Sequence, residues 1–281
     1  MEIQPSSLYQ KYISSIGWTV SDYSDIPVFI KTIPFTGKIA KVQRSSSIPD
    51  AGKFTAFLKE NCISTVAFEP DSRISQHELD VFIAGIRKSG IRINRYPFLP
   101  TKTIRINIAR SENEIFSGFS EAKRRAVRRA LKNNVLVKES GEIRKLIRIK
   151  NESAGFLGFI TTYGINKLWP IFAPGNAKIL LAYERTETEK NLVGGILLLL
   201  YDNIAYYWIA GATNKGKKIF APTLLAWEAL KLSKKCHCSW FDFVGVWDER
   251  FPHDNRTWLG FTKFKEGFGG EPLYYPVAKR R

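Results

Sequence analysis

The chain has 281 residues, of which 44% are hydrophobic, 13% aromatic and 25% charged. That balance excludes a disordered or fibrous chain and is ample for two ordinary domains. Lys and Arg number 43 against 26 Asp and Glu, a net charge of +17, which points to a polyanionic partner: nucleic acid, a phosphorylated substrate or anionic lipid head groups. The competing explanation is a solubility trait with no partner. The longest apolar stretch, Val193 to Tyr201, is too short to span a bilayer. The start Met-Glu-Ile-Gln-Pro lacks the basic and apolar regions of a secretion signal, so a cytoplasmic protein is expected.

In chain order, Val28–Ile33 and Lys38–Arg44 read as strands around the turn Pro34-Phe-Thr-Gly37. Gly52–Asn61 reads as a helix and Ile63–Phe68 as a buried strand. Ser75-Gln-His-Glu78 is a capping box opening a helix that stops at Gly90, with His77 in its exposed first turn. Ile91–Arg95 and Thr103–Ile108 add strands, so an α/β layer architecture is expected. Ser111 then opens one amphipathic helix on the stripe Ile115, Phe119, Ala122, Ala126 and Ala130. Lys123, Arg124, Arg125, Arg128, Arg129 and Lys132 crowd its other faces, offset only by Glu121. An anionic ligand would relieve that repulsion, which makes Arg124 and Arg128 candidate substrate-binding residues; a solvated surface helix is the plainer alternative.

A second unit is expected from Val135. It holds a helix over Glu142–Asn151, an aromatic loop-and-helix stretch from Phe156 to Phe172 and a strand over Ala177–Glu184. A hairpin over Asn191–Ile209 turning at Tyr201-Asp-Asn203 follows, then a helix over Pro222–Lys235 and a strand over Trp240–Val246. Three cysteines, Cys62, Cys236 and Cys238, argue against a disulfide framework and for a reducing compartment. Cys236-His-Cys238 has metal-ligand types, but on a strand His237 would face away from both thiols. No metal is expected, and these residues read as buried or helix-capping.

Strand, hairpin, Gly-containing loop, helix, strand is the order of the N-acetyltransferase superfold. Typical members bind the pyrophosphate of acetyl-CoA on bare amides of that loop. Here it reads Gly211-Ala-Thr-Asn-Lys-Gly-Lys-Lys-Ile-Phe-Ala-Pro222, with bulky Ile219 and Phe220 in the turn and no amide proton at Pro222, so a different acyl donor is expected. Trp240-Phe-Asp-Phe-Val-Gly-Val246, then Gly260-Phe-Thr-Lys-Phe-Lys-Glu-Gly-Phe-Gly-Gly270 and Pro272-Leu-Tyr-Tyr, closely resemble the ending of the FemABX peptidoglycan aminoacyltransferases. The basic segment Ser120–Val135, the hairpin Asn191–Thr213 and the segment Ala221–Leu230 agree with that family in order. The resemblance covers roughly Thr101 to Tyr275.

The resemblance implies an α/β (α+β) fold of two acetyltransferase-like (GNAT-type) domains, with mixed sheets flanked by helices and no coiled-coil arm. The expected domains are residues 1–134, with the tail 272–281 returning to them, and residues 135–271. It implies transfer of an amino acid from aminoacyl-tRNA to the stem peptide of a peptidoglycan precursor, UDP-MurNAc-pentapeptide or lipid II. No cofactor is then needed, since aminoacyl-tRNA is a co-substrate. An ester is already activated, so the protein supplies positioning and oxyanion stabilisation. By the resemblance Lys265 supplies the ammonium and Phe264 shapes and dries its surroundings; the plainer reading is a structural turn with Lys265 in solvent. Asp242, on the preceding strand, either accepts the amine proton or anchors backbone. Lys31, Lys38 and Arg44 lie where the family holds the precursor's pyrophosphate. Lys215, Lys217 and Lys218 either contact the acceptor arm of tRNA or stay solvated. A monomer is expected, with peripheral contact to an anionic membrane surface as a further expectation. Two other functions stay open: a GNAT-like N-acyltransferase using acyl-CoA, and a non-catalytic basic RNA-binding protein.

Overall fold

The computed structural model describes residues 1–94, 96–155, 158–186 and 190–278. The chain forms two compact units, Met1–Lys102 with the segment from Leu273 onward, and Thr103–Pro272. The boundary therefore falls at Lys102/Thr103 rather than near Asn134. The physical reason lies in the basic helix: its Ala126, Val127 and Ala130 are buried in the same core as Leu198, Leu200 and Leu225.

The first unit runs α1 (Ser7–Ser15), β1 (Thr19–Tyr23), β2 (Ile26–Ile33), β3 (Gly37–Ser45), α2 (Ala51–Glu60), β4 (Ile63–Pro70), α3 (Gln76–Lys88) and β5 (Arg92–Ile93). α1 and β1 were not read from the sequence. Strand β5 is two residues long, and Arg95, expected to end it, lies outside the described residues. The five strands lie in sequence order, antiparallel through β3 and parallel from β3 to β5. The Ser75–Glu78 capping box forms at the start of α3, and Phe54, Leu58, Leu79, Phe82 and Ile86 fill the core beneath the sheet.

The second unit runs β6 (Lys102–Asn107), α4 (Glu112–Ser117), α5 (Glu121–Lys132), β7 (Val135–Ser140), α6 (Ile143–Ala154), α7 (Gly158–Thr161), α8 (Ile165–Phe172), β8 (Ala177–Arg185), β9 (Lys190–Tyr201), β10 (Ile204–Ala212), α9 (Asn214–Lys218), α10 (Ala221–Lys235), β11 (Trp240–Asp242), α11 (Leu259–Glu266) and β12 (Glu271–Tyr274). Phe156, the first residue of the expected aromatic stretch, lies outside the described residues. The helix expected to open at Ser111 is two helices. Ser111 closes a capping box with Glu114, α4 ends at Gly118, and Ser120 accepts from the Lys123 amide as a fresh N-cap. Ala122, assigned to the apolar stripe, is consequently exposed. Nor is Cys236-His-Cys238 on a strand: Cys236 caps α10 and His237 takes φ +61.

The sheet order is β12-β6-β11-β10-β9-β8-β7, with β10 and β11 parallel. β9 is buried from Val193 to Leu200, as a central strand covered on both faces must be. Adjacent Gly194 and Gly195 point to opposite faces. A Cβ at Gly194 would lie 2.9 Å from Leu225 of α10, and one at Gly195 2.9 Å from Leu146 of α6, so one helix presses on each face. Asp202 and Asn203, at φ +46 and +63, make the two-residue turn that sets the β9–β10 register. Gly270 combines φ +89 with a would-be Cβ 2.6 Å from the Arg105 carbonyl. Gly270→Ala is expected to destabilise the fold by about 2 kcal/mol or more, read as a lowered urea midpoint at unchanged m-value. No helix among the described residues is long and apolar enough to cross a membrane.

Candidate active site

β10 and β11 pair only from Ile204/Trp240 to Tyr206/Asp242, while β10 continues to Ala212. The sheet therefore forks after Asp242, where a continuous strand to Val246 was expected. Val244 and Gly245 turn the chain away at φ +52 and +102. Into this turn reaches Lys265, from the last turn of α11. It is 8% exposed, and its Nζ donates to the carbonyls of Phe243 at 2.7 Å and Gly245 at 2.6 Å. The solvated-turn reading is thereby overturned. An ammonium has three N–H donors, so one is left without a partner among the described residues. The rings beside Nζ are Phe261 at 4.9 Å and Tyr207 at 6.0 Å from their centroids.

A polar network not read from the sequence holds this turn. Asp242 Oδ1 accepts from the Val244 amide at 2.7 Å and from Thr103 Oγ1 at 2.6 Å, and Oδ2 accepts from Arg105 Nε at 2.7 Å. Thr103 Oγ1 in turn accepts from the Gly245 amide at 3.3 Å. Alternation on β6 puts Thr103 and Arg105 on one face, and the antiparallel register sets Asp242 opposite Arg105. Of the two roles weighed for Asp242, this geometry fits the anchor: it is 2% exposed and both oxygens are engaged.

Burial pushes the Lys265 ammonium down to about 7, opposed by the Asp242 carboxylate and reinforced by Lys150 on α6. Lys150 is held below the usual lysine range by its own burial and by Lys217. A Cβ at Gly211 would lie 2.8 Å from Lys150 Cα, so only glycine lets α6 sit this close to β10 beyond the fork. Burial likewise lowers Lys123 to about 8. Between the folded and unfolded pKa values of these lysines the unfolded chain holds protons that the folded chain has released, so stability rises with pH. The midpoint of thermal unfolding is expected to climb from pH 6.5 to 9, less steeply in Lys265→Met. A flat or falling wild-type profile would contradict the burial of these ammoniums.

Phe264 lies one position away, and its ring stacks edge-on to Phe268 at 5.1 Å under the Lys123 ammonium at 3.8 Å. A Cβ at Gly267 would lie 2.7 Å from Lys123 Cε, and the Ser120 amide donates to the Gly267 carbonyl. The basic helix is thus tied to the glycine-aromatic segment. Several of its other cations also have local partners. Arg124 donates to the carbonyls of Ser117 and Phe119, Arg125 pairs with Glu121, and Arg128 lies 6.0 Å from the Phe116 ring. The repulsion expected to need an external anion is relieved in part within the fold. Lys215 is ion-paired with Glu184, whereas Lys217 and Lys218 follow it on α9.

In the first unit Lys31, Lys38 and Arg44 have separate partners. Lys38 donates to the Asn61 carbonyl, while Arg44, 5% exposed at φ +54, stacks on Tyr275 and donates to the Pro100 carbonyl. Lys31 shares the Trp18 ring with Lys41, whose Nζ sits 4.3 Å from that ring and 5.6 Å from those of Phe29 and Phe98. Burial lowers Lys41 to about 8. Lys41 lies within the continuous buried run Ala40–Ser45 of β3, a lysine among residues with no exposed face.

Residues 176–273 match the model of the FemAB family. No curated protein matches the chain. Among solved structures the fold is similar to that of FemX, with a TM-score of 0.73 at 14% identity over 98% of this chain and 90% of that one. It is also similar to the C-terminal domain of a putative lysylphosphatidylglycerol synthetase from Agrobacterium fabrum, at 0.60 and 11% over 94% and 84%. A tandem GNAT protein from the clavulanic acid biosynthesis pathway scores 0.55 at 10% over 90% and 77%. Family segment and fold together point to acyl or aminoacyl transfer. The chain thus carries a segment similar to the FemAB family, on a fold similar to that of FemX and of a tandem GNAT protein.

Proposed function

We propose that the protein transfers an amino acid from aminoacyl-tRNA to the stem peptide of a peptidoglycan precursor, UDP-MurNAc-pentapeptide or lipid II, and so builds a cell-wall cross-bridge. The observation that carries this reading is the buried Lys265 ammonium, with two N–H groups held by carbonyls and the third without a partner among the described residues. A stem-peptide amine attacks the ester carbon, the C–N bond forms, and negative charge develops on the carbonyl oxygen. That oxygen takes the remaining Lys265 N–H. Collapse breaks the C–O bond, and the proton lost by the amine passes to the departing ribose oxygen. With both Asp242 oxygens engaged by protein donors, the substrate carries this proton itself in this reading. Low polarity around Lys265 strengthens its interaction with the oxyanion.

Lys217 and Lys218 serve the RNA phosphates in this reading, and Lys31 with Lys41 the precursor's pyrophosphate. The net charge of +17 suits both polyanions and work at the inner face of an anionic membrane. The acyl-CoA reading fits less well. Pro222 removes an amide in the first turn of α10, and Gly216 lies against the Val193 carbonyl with no room for even a Cβ. The test incubates the protein with charged tRNA and each precursor, then weighs the products by mass spectrometry. Mass gain of one aminoacyl group on the precursor is expected. Transfer from acetyl-CoA, with none from charged tRNA, would replace this reading.

A further inference from the structure

Tyr207 is the first residue of β10 beyond the fork, since β10 and β11 part after Tyr206 and Asp242. Its ring packs against Phe243 at 5.4 Å and Phe241 at 6.1 Å, and the residue is 8% exposed. A buried tyrosine normally gives its hydroxyl a partner, and Tyr9 and Tyr275 do so with Gln43 and Glu2. The Tyr207 hydroxyl has none among the described residues. Its oxygen is nevertheless not sealed from solvent, as the equally partnerless Trp247 Nε1 is. Burial holds the phenol above its usual range, so it keeps its proton at neutral pH. The strand is bulged here: Tyr207 pairs with Leu198 and Ile209 with the adjacent Leu197, leaving Trp208 extra. Such bulges re-aim side chains and gather beside active sites. Lys265 Nζ lies over the Tyr207 ring, 6.0 Å from its centre. The rim of the ring therefore stands about two hydrogen-bond lengths from the ammonium, room for one oxygen between two donors.

We propose that Tyr207 is a second catalytic donor of the transfer, its hydroxyl binding the same carbonyl oxygen as the Lys265 ammonium while that oxygen turns negative. The inference rests on the aminoacyl-transfer reading above and adds a residue to it. No proton changes hands at Tyr207. The C–N bond forms, charge gathers on the oxygen, two hydrogen bonds hold it, and both donors are unchanged when the C–O bond breaks. Packing between Phe241 and Phe243 fixes the ring, so the hydroxyl is placed before the charge develops and no reorganisation is needed at that moment. With no partner in the protein, it has no hydrogen bond to give up on meeting the substrate. Its burial without a partner is a stability cost retained for function.

The test compares Tyr207→Phe with wild type in steady-state transfer from charged tRNA, alongside thermal unfolding. The variant keeps the ring and loses only the hydroxyl, so kcat is expected to fall roughly 10²-fold at nearly constant KM. Its thermal midpoint is expected at or above that of wild type. In Lys265→Met/Tyr207→Phe, kcat is expected to fall by less than the product of the two single losses, because both groups serve one oxygen. Full turnover by Tyr207→Phe, a raised KM at unchanged kcat, or strictly multiplicative losses in the double variant would each overturn the shared-oxygen role and leave the transfer reading standing. A lowered thermal midpoint would do the same, as the sign of a structural hydrogen bond. No transfer by wild type from charged tRNA would sink both.

Discussion

Lys265→Met is expected to lower kcat for aminoacyl transfer by roughly 10²–10³-fold, the usual effect of deleting one oxyanion donor, with KM for charged tRNA little changed. Methionine keeps most of the volume and removes the buried charge, so the fold survives. The orphaned carbonyls of Phe243 and Gly245 cost on the order of 1–3 kcal/mol each, partly offset because a desolvated ammonium no longer has to be accommodated. Arginine does not rescue, because its planar fork cannot occupy the space between two carbonyls 2.6–2.7 Å from one nitrogen. The pH profile supplies a second readout. The ammonium form is lost as pH rises through about 7, so kcat/KM for the wild type is expected to fall above neutrality. Undiminished turnover by Lys265→Met would remove the residue from the mechanism.

Asp242→Asn is expected to act through Lys265 rather than on the substrate. The amide removes the charge that favours the ammonium and leaves Arg105, whose side chain is 18% exposed, without its carboxylate. Breaking a buried pair from one side typically costs about 3–5 kcal/mol, so a clear drop in thermal midpoint is expected. More telling is the rate: the alkaline fall of kcat/KM moves to lower pH, and transfer at pH 7.5 drops by roughly 10–100-fold. Thr103→Val is expected to give a milder loss, recovered by Thr103→Ser, which restores the hydroxyl between Asp242 and the Gly245 amide. A general base would behave differently, since its loss depresses the acid limb. An unshifted alkaline limb in Asp242→Asn would refute the positioning role.

Much of the fold was legible because it rests on local chemistry. The Ser75 capping box, the Asp202-Asn203 turn and the apolar run of β9 each formed where side-chain spacing put them. The basic segment was misread as one helix because the Ile115–Phe119 spacing stays apolar across a break that Gly118 and the Ser120 cap impose. The domain boundary was misplaced for a related reason. The end of a helix is visible in sequence, but the core its alanines join is not.

The sequence by itself determined the element order, the cationic balance, and the closing Phe-Lys-Glu-Gly-Phe-Gly-Gly segment that singled out Lys265. Only the tertiary structure decided what that lysine touches. Thr103 and Asp242 are 139 residues apart along the chain, and Lys150 comes near Lys265 because Gly211 lets a helix rest on β10. Periodicity and capping are written in neighbouring residues, where hydrogen-bond geometry is local. The protonation of a buried ammonium depends instead on dielectric and on charges brought together from β6, β11 and α6, and no single stretch of the chain carries that sum.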